Sequence, residues 1–368
     1  MPADLGNGGS VTDPTSECRI ALALLNDFCR DILMAVGVPA EDAALVAESL
    51  TQADASGLAS HGAVRLLPVY VRRLQAGTTR PRPQITIERR RAGAALLDGD
   101  AGLGQVVGTR AMELAIEMAR ETGIGVVGVR RSSHFGTGAF FMHRAIRAAM
   151  IGLALTNAPA NMPPHGGYRR FFGTNPIAIG IPCGDERPVI LDMSTSVVAR
   201  GKIVMMHKAG QEIPEGWALD EYGRSTRDSG AALRGVVLPF GGYKGSGLAF
   251  VIDVLCGVLT GAAFGPHIVD LYDQGERIQN LGHFFAAVDI ETFMPTMQFQ
   301  KRMDQLVREV HQQPPRPGVE RIFVPGEIEQ EKTAESQRLG APLTGAGIAE
   351  LDRLAVGLGV RPLSARGG

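Results

Sequence analysis

The sequence predicts a mixed α/β (α+β) protein with a helical part built from both chain ends. Three observations carry this expectation. Apolar residues recur at helical spacing from Ile20 to about Gly77. Composition then changes at the Gly/Pro/Thr connector Gly77–Pro83, beyond which strand-like and helical pieces alternate. A last helix, Thr344–Leu358, is too short to bury its own apolar face and is expected to return to the N-terminal helices. A chain of 368 residues suffices for two or three domains and a large core.

The elements follow in order. A first helix opens in the apolar run Ile20–Phe28. A second starts at Ala40-Glu41-Asp42, just after Pro39, and runs through Leu50 towards Ser56-Gly57. A third follows Ser60-His61-Gly62 and carries Arg65, Tyr70 and Arg72. Ala94–Leu97 is a short apolar strand before a Gly/Asp turn, and Thr109–Arg120 is an amphipathic helix. Strands are expected at Ile124–Val129, Ile151–Leu155, Val189–Leu191 and Phe284–Ile290. Helices are expected at Phe140–Ala149 and Met297–Gln312, and at Gly247–Leu259, which is apolar nearly all round and therefore expected to be buried. Gln313–Gly318 is Pro-rich and reads as a linker.

Bulk composition excludes several classes. Hydrophobic residues make up 45%, charged residues 20%, and the net charge is −1, an ordinary globular balance that argues against nucleic acid as a partner. Arg89-Arg90-Arg91 is short and reads as solvated surface. The four cysteines, Cys18, Cys29, Cys183 and Cys256, show no CxxC spacing and read as reduced thiols of a cytoplasmic protein. Residues 1–17 are polar and Gly-rich, a disordered leader rather than a signal peptide. The run nearest to a membrane span, Ile179–Ile190, is broken by Pro182, Asp185, Glu186 and Pro188, so no membrane association is expected.

Two serine–histidine pairs, Ser60-His61-Gly62 and Ser133-His134-Phe135-Gly136, stand out as candidate chemistry. Each sets a titratable ring on a small-residue corner. Arg65 follows His61 by four residues, one turn of a helix. A proton donor and a fixed cation one turn apart suit a substrate with both a carbonyl and a carboxylate. The plainer reading of either pair, taken singly, is a histidine in a turn. Gly102–Gly108 has the pattern G-x-G-x-x-x-G, one residue longer than a dinucleotide fingerprint, and reads better as a tight strand–helix turn. Anion sites are expected instead at the corner His134–Gly138, at the glycine-dense turn Gly241–Gly247 with Lys244, and at Asp192 and Ser194 on a strand end. The eight histidines show no HExxH or paired spacing, so no metal site is expected, and there is no G-x-S-x-G elbow.

These pieces occur together in order: Ser60–Gly62 with Arg65, Asp98–Gly104, His134–Gly136, Gly173–Pro176, Asp192–Ser196, Glu212–Trp217, Gly242–Gly245 and Gly261–Pro266. The chain thereby resembles, from Cys18 to Val360, the malate/L-lactate dehydrogenase-type oxidoreductases, which are unrelated to the Rossmann lactate and malate dehydrogenases. The resemblance implies a homodimer. It also implies a non-Rossmann NAD or NADP domain over 81–299 with a mixed, largely antiparallel sheet, and a helical domain from 18–80 with 300–368.

By the same resemblance, His61 is the proton donor, supported by Ser60, while Arg65 holds the substrate carboxylate. His134 lines the cofactor with Phe135, Gly136, Thr137 and Gly138, and in some relatives the histidine at this position is itself the acid/base. Asn157, Thr174 and Asn175 lie near nicotinamide and substrate. Asp192, Met193, Ser194, Lys244 and Gly245 contact the cofactor, and Pro325, Gly326 and Glu327 belong to a loop that closes over it. The implied reaction is hydride transfer at C2 of a 2-hydroxy or 2-oxo acid. The alternatives are a cyclic-imine carboxylate reductase and a non-catalytic cofactor-binding relative. Lys202 stands where imine reductases of the family have an Asp in the Ser–His relay, which favours hydroxy-acid chemistry. Ala158 stands where some relatives bind cofactor through a Ser.

Overall fold

The computed structural model describes residues 17–273 and 277–366. The chain opens with β1 (Glu17–Ile20), α1 (Leu22–Ala35), α2 (Ala40–Ala55) and a one-turn α3 (Arg72–Gln75). It continues with β2 (Thr86–Arg91), β3 (Ala94–Asp98), α4 (Gly104–Thr122), β4 (Ile124–Ser132), α5 (Ala139–Arg147), β5 (Met150–Thr156), β6 (Ile177–Ile181) and β7 (Val189–Met193). A small insert holds α6 (Arg200–Lys208), β8 (Ala218–Leu219), β9 (Ser225–Thr226), α7 (Ser229–Arg234) and β10 (Val236–Val237). The last part contains α8 (Tyr243–Asp253), β11 (Leu281–Asp289), α9 (Thr296–His311), α10 (Glu327–Leu339), β12 (Ala341–Thr344) and α11 (Gly345–Gly357).

The seven-stranded sheet has the order β2-β3-β4-β11-β5-β6-β7. β3 and β4 run parallel, joined by the α4 crossover, and every other neighbouring pair is antiparallel. The sheet is therefore mixed and mostly antiparallel. It carries α4 and α5 over a core of Val107, Met112, Val127, Phe140, Phe141 and Phe285. β8, β9 and β10 form a separate small sheet, with Ile203, Ile213, Ala218 and Val237 as its core.

The chain ends meet in one place. β1 pairs antiparallel with β12, and Leu25, Phe28, Ile32, Leu50 and Leu66 share a core with Leu343, Leu351 and Ala355. Each fully buried Leu, Ile or Phe there contributes roughly 1.5–3 kcal/mol. Thr344 caps α11, its hydroxyl accepting from Gly347 N at 3.1 Å. α9 is pinned to the turn after β6, because the Asp304 carboxylate accepts from Gly184, Asp185 and Glu186 N.

Several expected elements change. The expected leader, 1–17, lies outside the described residues except for Glu17, which begins β1. Ile20 belongs to that strand, so the first helix opens at Leu22, because β12 supplies a pairing partner no local pattern announces. The expected third helix is instead two 3₁₀ turns (Ala59–His61 and Ala63–Arg65), a π turn (Leu66–Val71) and α3. α4 begins at Gly104, five residues before Thr109. The helix expected to be buried over Gly247–Leu259 is α8 followed by a π turn, Val254–Val258, and it keeps an exposed apolar face. Sequence apolarity all round a helix does not say which side meets the core.

Candidate active site

The local structure at His61 is set from behind by Asp54 on α2. Its buried carboxylate accepts from Ala63 N at 2.8 Å, and burial pushes its pKa up to about 7. Gly62 has to be glycine, since a Cβ there would lie 1.8 Å from Asp54 Oδ1. The two 3₁₀ turns on either side of Gly62 thus present His61 and Arg65 together. Gly62→Ala is expected to lower stability by about 1–3 kcal/mol, as overpacking does, and to lower activity by shifting both side chains. Urea denaturation and steady-state assays check this, and an unchanged unfolding midpoint would contradict it.

Arg65 is anchored twice. Its Nε donates to Ser60 O and its Nη1 donates to Tyr272 Oη. The guanidinium also sits 5.8 Å from the Tyr272 ring centroid. Nη2 faces the first turn of α6, where a Cβ on Gly201 would be 3.9 Å away. With Nε and Nη1 engaged, Nη2 and the Tyr272 hydroxyl stand side by side in place of a bare guanidinium fork.

The two serine–histidine pairs converge. The His61 and His134 rings stack with centroids 5.7 Å apart and planes 22° apart. Ser60 Oγ lies 2.9 Å from His61 Nδ1, and Tyr70 Oη lies 2.8 Å from His134 Nδ1. Both Nδ1 atoms are engaged, which leaves Nε2 of each ring for chemistry. Burial first, then the Arg65 guanidinium, lowers the His61 pKa to about 4. His134 is held well below the usual imidazole range by burial, then by His61, Arg65 and His283. Both rings are therefore neutral at physiological pH.

The segment after His134 is packed into the fold. Phe135 is buried and stacks on His283 at 4.8 Å. His283 itself bridges Thr156 Oγ1 and Ser132 Oγ at 2.7 and 2.8 Å. Gly136 and Gly138 pack against Ser49 and Ala178, and Thr137 is buried. The Asp192 carboxylate accepts from Ala139 N at 2.8 Å, so it closes the helix start that was expected to face a phosphate. Burial raises its pKa to about 6. Met193 and Ser194 follow on the same strand end, Ser194 Oγ 3.0 Å from Ser196 Oγ.

Two of the expected ligand contacts are internal braces. Asn157 donates to Asp253 Oδ1 and Ala263 O and accepts from Gly282 N. Asn175 donates to Ala249 O and accepts from Ala158 N. Both are buried with both ends of the amide engaged. Thr174 is half-buried, and its carbonyl accepts from Thr195 N and Oγ1. The turn before α8 does not offer its amides outward either. Lys244, Gly245 and Ser246 N donate to Gly241, Phe240 and Gly242 O, leaving the exposed Lys244 ammonium as the cation of that loop.

Pro325 O accepts from Ile190 N at 3.0 Å, and Gly326 sits on the Ile190 backbone, so this loop extends the edge of β7. Glu327 accepts from Val324 N and pairs with His311 Nε2 at 2.9 Å. Lys202 lies over Trp217, its Nζ 5.2 Å from the ring centroid. Gly104 and Gly108 pack against the His134 backbone and the Phe141 ring, so the glycine pattern serves helix packing. Among the described residues, no cluster of His, Cys, Asp or Glu could hold a metal ion. No helix there is long and apolar enough to cross a membrane.

A family model described as malate/L-lactate dehydrogenase matches residues 20–352. The chain belongs to the malate/L-lactate dehydrogenase family. It is similar to malate dehydrogenase of Pyrococcus abyssi, 40% identical over 353 residues, 94% of this chain and 96% of the relative. Two other relatives name a cofactor. They are ureidoglycolate dehydrogenase (NAD(+)) of Escherichia coli (35% identical, 86% of this chain and 90% of the relative) and (2R)-3-sulfolactate dehydrogenase (NADP(+)) of Chromohalobacter salexigens (40%, 70% and 77%). The solved sulfolactate dehydrogenase of Methanocaldococcus jannaschii superposes with a TM-score of 0.88 at 37% identity, covering 95% of this chain and 99% of that one. The delta1-piperideine-2-carboxylate reductase of Pseudomonas syringae superposes with a TM-score of 0.82 at 28% identity, covering 92% and 100%. The solved neighbours of this fold thus include both a sulfolactate dehydrogenase and a delta1-piperideine-2-carboxylate reductase.

Membership of the malate/L-lactate dehydrogenase family makes the chain an oxidoreductase. Besides Tyr70, three side chains at its site escaped sequence reasoning as participants. Tyr272 reaches Arg65 from 207 residues away. Asp54, on α2, accepts from Ala63 N and so shapes the turn that carries His61 and Arg65. Gln105 lies inside the glycine pattern and donates to Tyr70 Oη at 2.7 Å.

Proposed function

We propose that this protein is an NAD- or NADP-dependent dehydrogenase that interconverts a 2-hydroxy acid and its 2-oxo acid by hydride transfer at C2. The observation that carries the reading is the stacked His61–His134 pair beside the doubly anchored Arg65. Arg65 Nη2 and the Tyr272 hydroxyl hold the carboxylate, fixing C2 and its oxygen beside the two Nε2 atoms. In oxidation His61, neutral in the free protein, takes the hydroxyl proton at Nε2. In reduction the protonated ring returns that proton to the carbonyl oxygen. A carboxylate on Arg65 offsets the guanidinium charge that lowers the His61 pKa, and so eases protonation.

A nicotinamide dinucleotide supplies the hydride acceptor and donor when bound. The side chains fit such a group. A cavity of about 310 Å³, walled by Pro163, His165, Gly166, Gly167, Gly241 and Gly242, opens beside the Lys244 loop. Glycine walls let a ligand approach the backbone, and an exposed ammonium suits a pyrophosphate. Val197 of the same cavity lies four residues before Gly201, which abuts Ser60, so at most about 14 Å of chain separates the cavity wall from the residue against Ser60. α6, whose Gly201 abuts Ser60, carries no Asp or Glu and so offers Ser60 no acidic partner, which supports hydroxy-acid over imine chemistry. The four cysteines are free thiols, consistent with a cytoplasmic enzyme.

The functional unit in this reading is a homodimer. α8 and its π turn expose Tyr243, Phe250, Val251, Val254, Val258 and Leu259 on one face, with Phe250 57% and Leu259 64% exposed. An apolar stripe of this kind marks an interface, and a second copy of the chain is its occupant here. Phe250→Glu is expected to give monomers in analytical ultracentrifugation. A wild-type monomer, or a variant that stays dimeric, would contradict this. The reaction itself is tested by following NADH and NADPH oxidation with pyruvate, oxaloacetate, sulfopyruvate, 2,3-diketogulonate and a cyclic imino acid. Turnover of a 2-oxo acid supports the reading, and turnover of the imino acid alone overturns it.

A further inference from the structure

We propose that Tyr70 is a positioning residue that fixes His134 with its proton on Nε2. His134 then acts as a neutral hydrogen-bond donor to the substrate oxygen, and His61 alone carries the proton in and out. This division of labour rests on the reaction proposed above.

The two stacked rings look interchangeable until their Nδ1 partners are compared. Ser60 Oγ is half-buried and can donate to or accept from His61 Nδ1. Tyr70 Oη has no such freedom. It is buried between Gln105 Nε2 at 2.7 Å and His134 Nδ1 at 2.8 Å. Gln105 is fully buried, and its Oε1 has no hydrogen-bond partner among the described residues. Turning the amide over would bring Oε1 to the phenol and strand the NH₂ group instead. Orphaned buried N–H groups are rarer than under-satisfied carbonyls. Gln105 therefore donates, the single phenol proton goes to His134 Nδ1, and the neutral ring carries its own proton on Nε2.

The surroundings hold this state. Burial keeps the Tyr70 phenol above its usual range, so it remains a donor. His134 N donates to Gln279 Oε1 at 3.2 Å, which fixes the backbone behind the ring. Tyr70 reaches this point because the segment Leu66–Val71 is a π turn. Its i→i+5 repeat carries a residue five after Arg65 back to the same side, where an α-helix would have placed the fourth. A preorganised neutral donor stabilises the oxyanion that develops on reduction without competing for the proton.

The test is nitrogen-15 NMR of the imidazoles in the full-length protein with labelled histidine, the His134 signals assigned by their loss in His134→Gln. Wild-type His134 is expected as the Nε2–H tautomer near neutral pH. Tyr70→Phe is expected to convert it to a mixture of tautomers and to lower kcat about tenfold to a hundredfold, with little change in KM for the acid. Gln105→Met, which leaves the phenol in place but frees its proton, is expected to give a mixture as well. An Nδ1–H tautomer in the wild-type protein would overturn the inference, as would a tautomer unmoved in both variants. The tautomer is read without substrate, so this result stands apart from whether any 2-oxo acid in the panel is turned over.

Discussion

Replacing His61 by alanine lowers turnover by about 10²- to 10⁴-fold, the range a positioned acid–base group supplies, and leaves dinucleotide affinity unchanged. The expectation follows from geometry. His61 sits on a 3₁₀ turn fixed by Asp54 and Gly62, has its Nδ1 engaged by Ser60, and has Nε2 left for the substrate oxygen. The pH dependence carries the same signature. With a folded pKa of about 4, His61 stays neutral as pH falls through the ordinary imidazole range. Oxidative kcat/KM should therefore hold through that range and decline only towards about pH 4, where the base is lost. Reduction runs in the opposite sense, rising as pH falls, because it needs the protonated ring. Steady-state kinetics in both directions and fluorescence titration of the dinucleotide measure these effects. Unchanged turnover in His61→Ala would remove His61 from the chemistry.

Replacing Arg65 by lysine raises KM for the acid substrate by roughly 10- to 100-fold, with a smaller change in kcat. The charge survives but the anchoring does not. A lysine has no Nε donor for Ser60 O and cannot hold Tyr272 Oη while also facing a carboxylate. Hydrogen bonds to charged groups contribute about 1.5–3 kcal/mol each, which sets the scale. The experiment is a substrate-saturation series on both proteins at saturating cofactor. A KM that stays at the wild-type value would place the carboxylate elsewhere.

The site was partly legible in the sequence. Ser60, His61 and Arg65 are near neighbours in the chain, so local spacing already implied that they act together, and the fold unites them with His134. Tyr70 was hidden by periodicity, because reading the segment at the α-helical period puts Val69, not Tyr70, beneath Arg65, and only the π turn corrects this. Tyr272 was hidden by distance along the chain. The glycines at 241–247 suggested outward-facing amides, yet three of those amides close the turn on itself. Asn157 and Asn175 carry the donors a substrate would want, but neighbours in the fold consume them first. Where a feature depended on which partner wins a hydrogen bond, sequence spacing could not decide it. The fold was more legible. The strands β3, β4, β5, β7 and β11 sit close to their apolar runs, while β1 and β12 exist only because each finds the other.

The most direct test of the central claim is the fate of the hydride. With 4-deuterated reduced cofactor and the 2-oxo acid found active in the panel, mass spectrometry and proton NMR of the product should show one deuteron at C2 of the 2-hydroxy acid. A product without deuterium at C2, or with deuterium at another carbon, would contradict hydride transfer at C2 beside the His61–His134 pair.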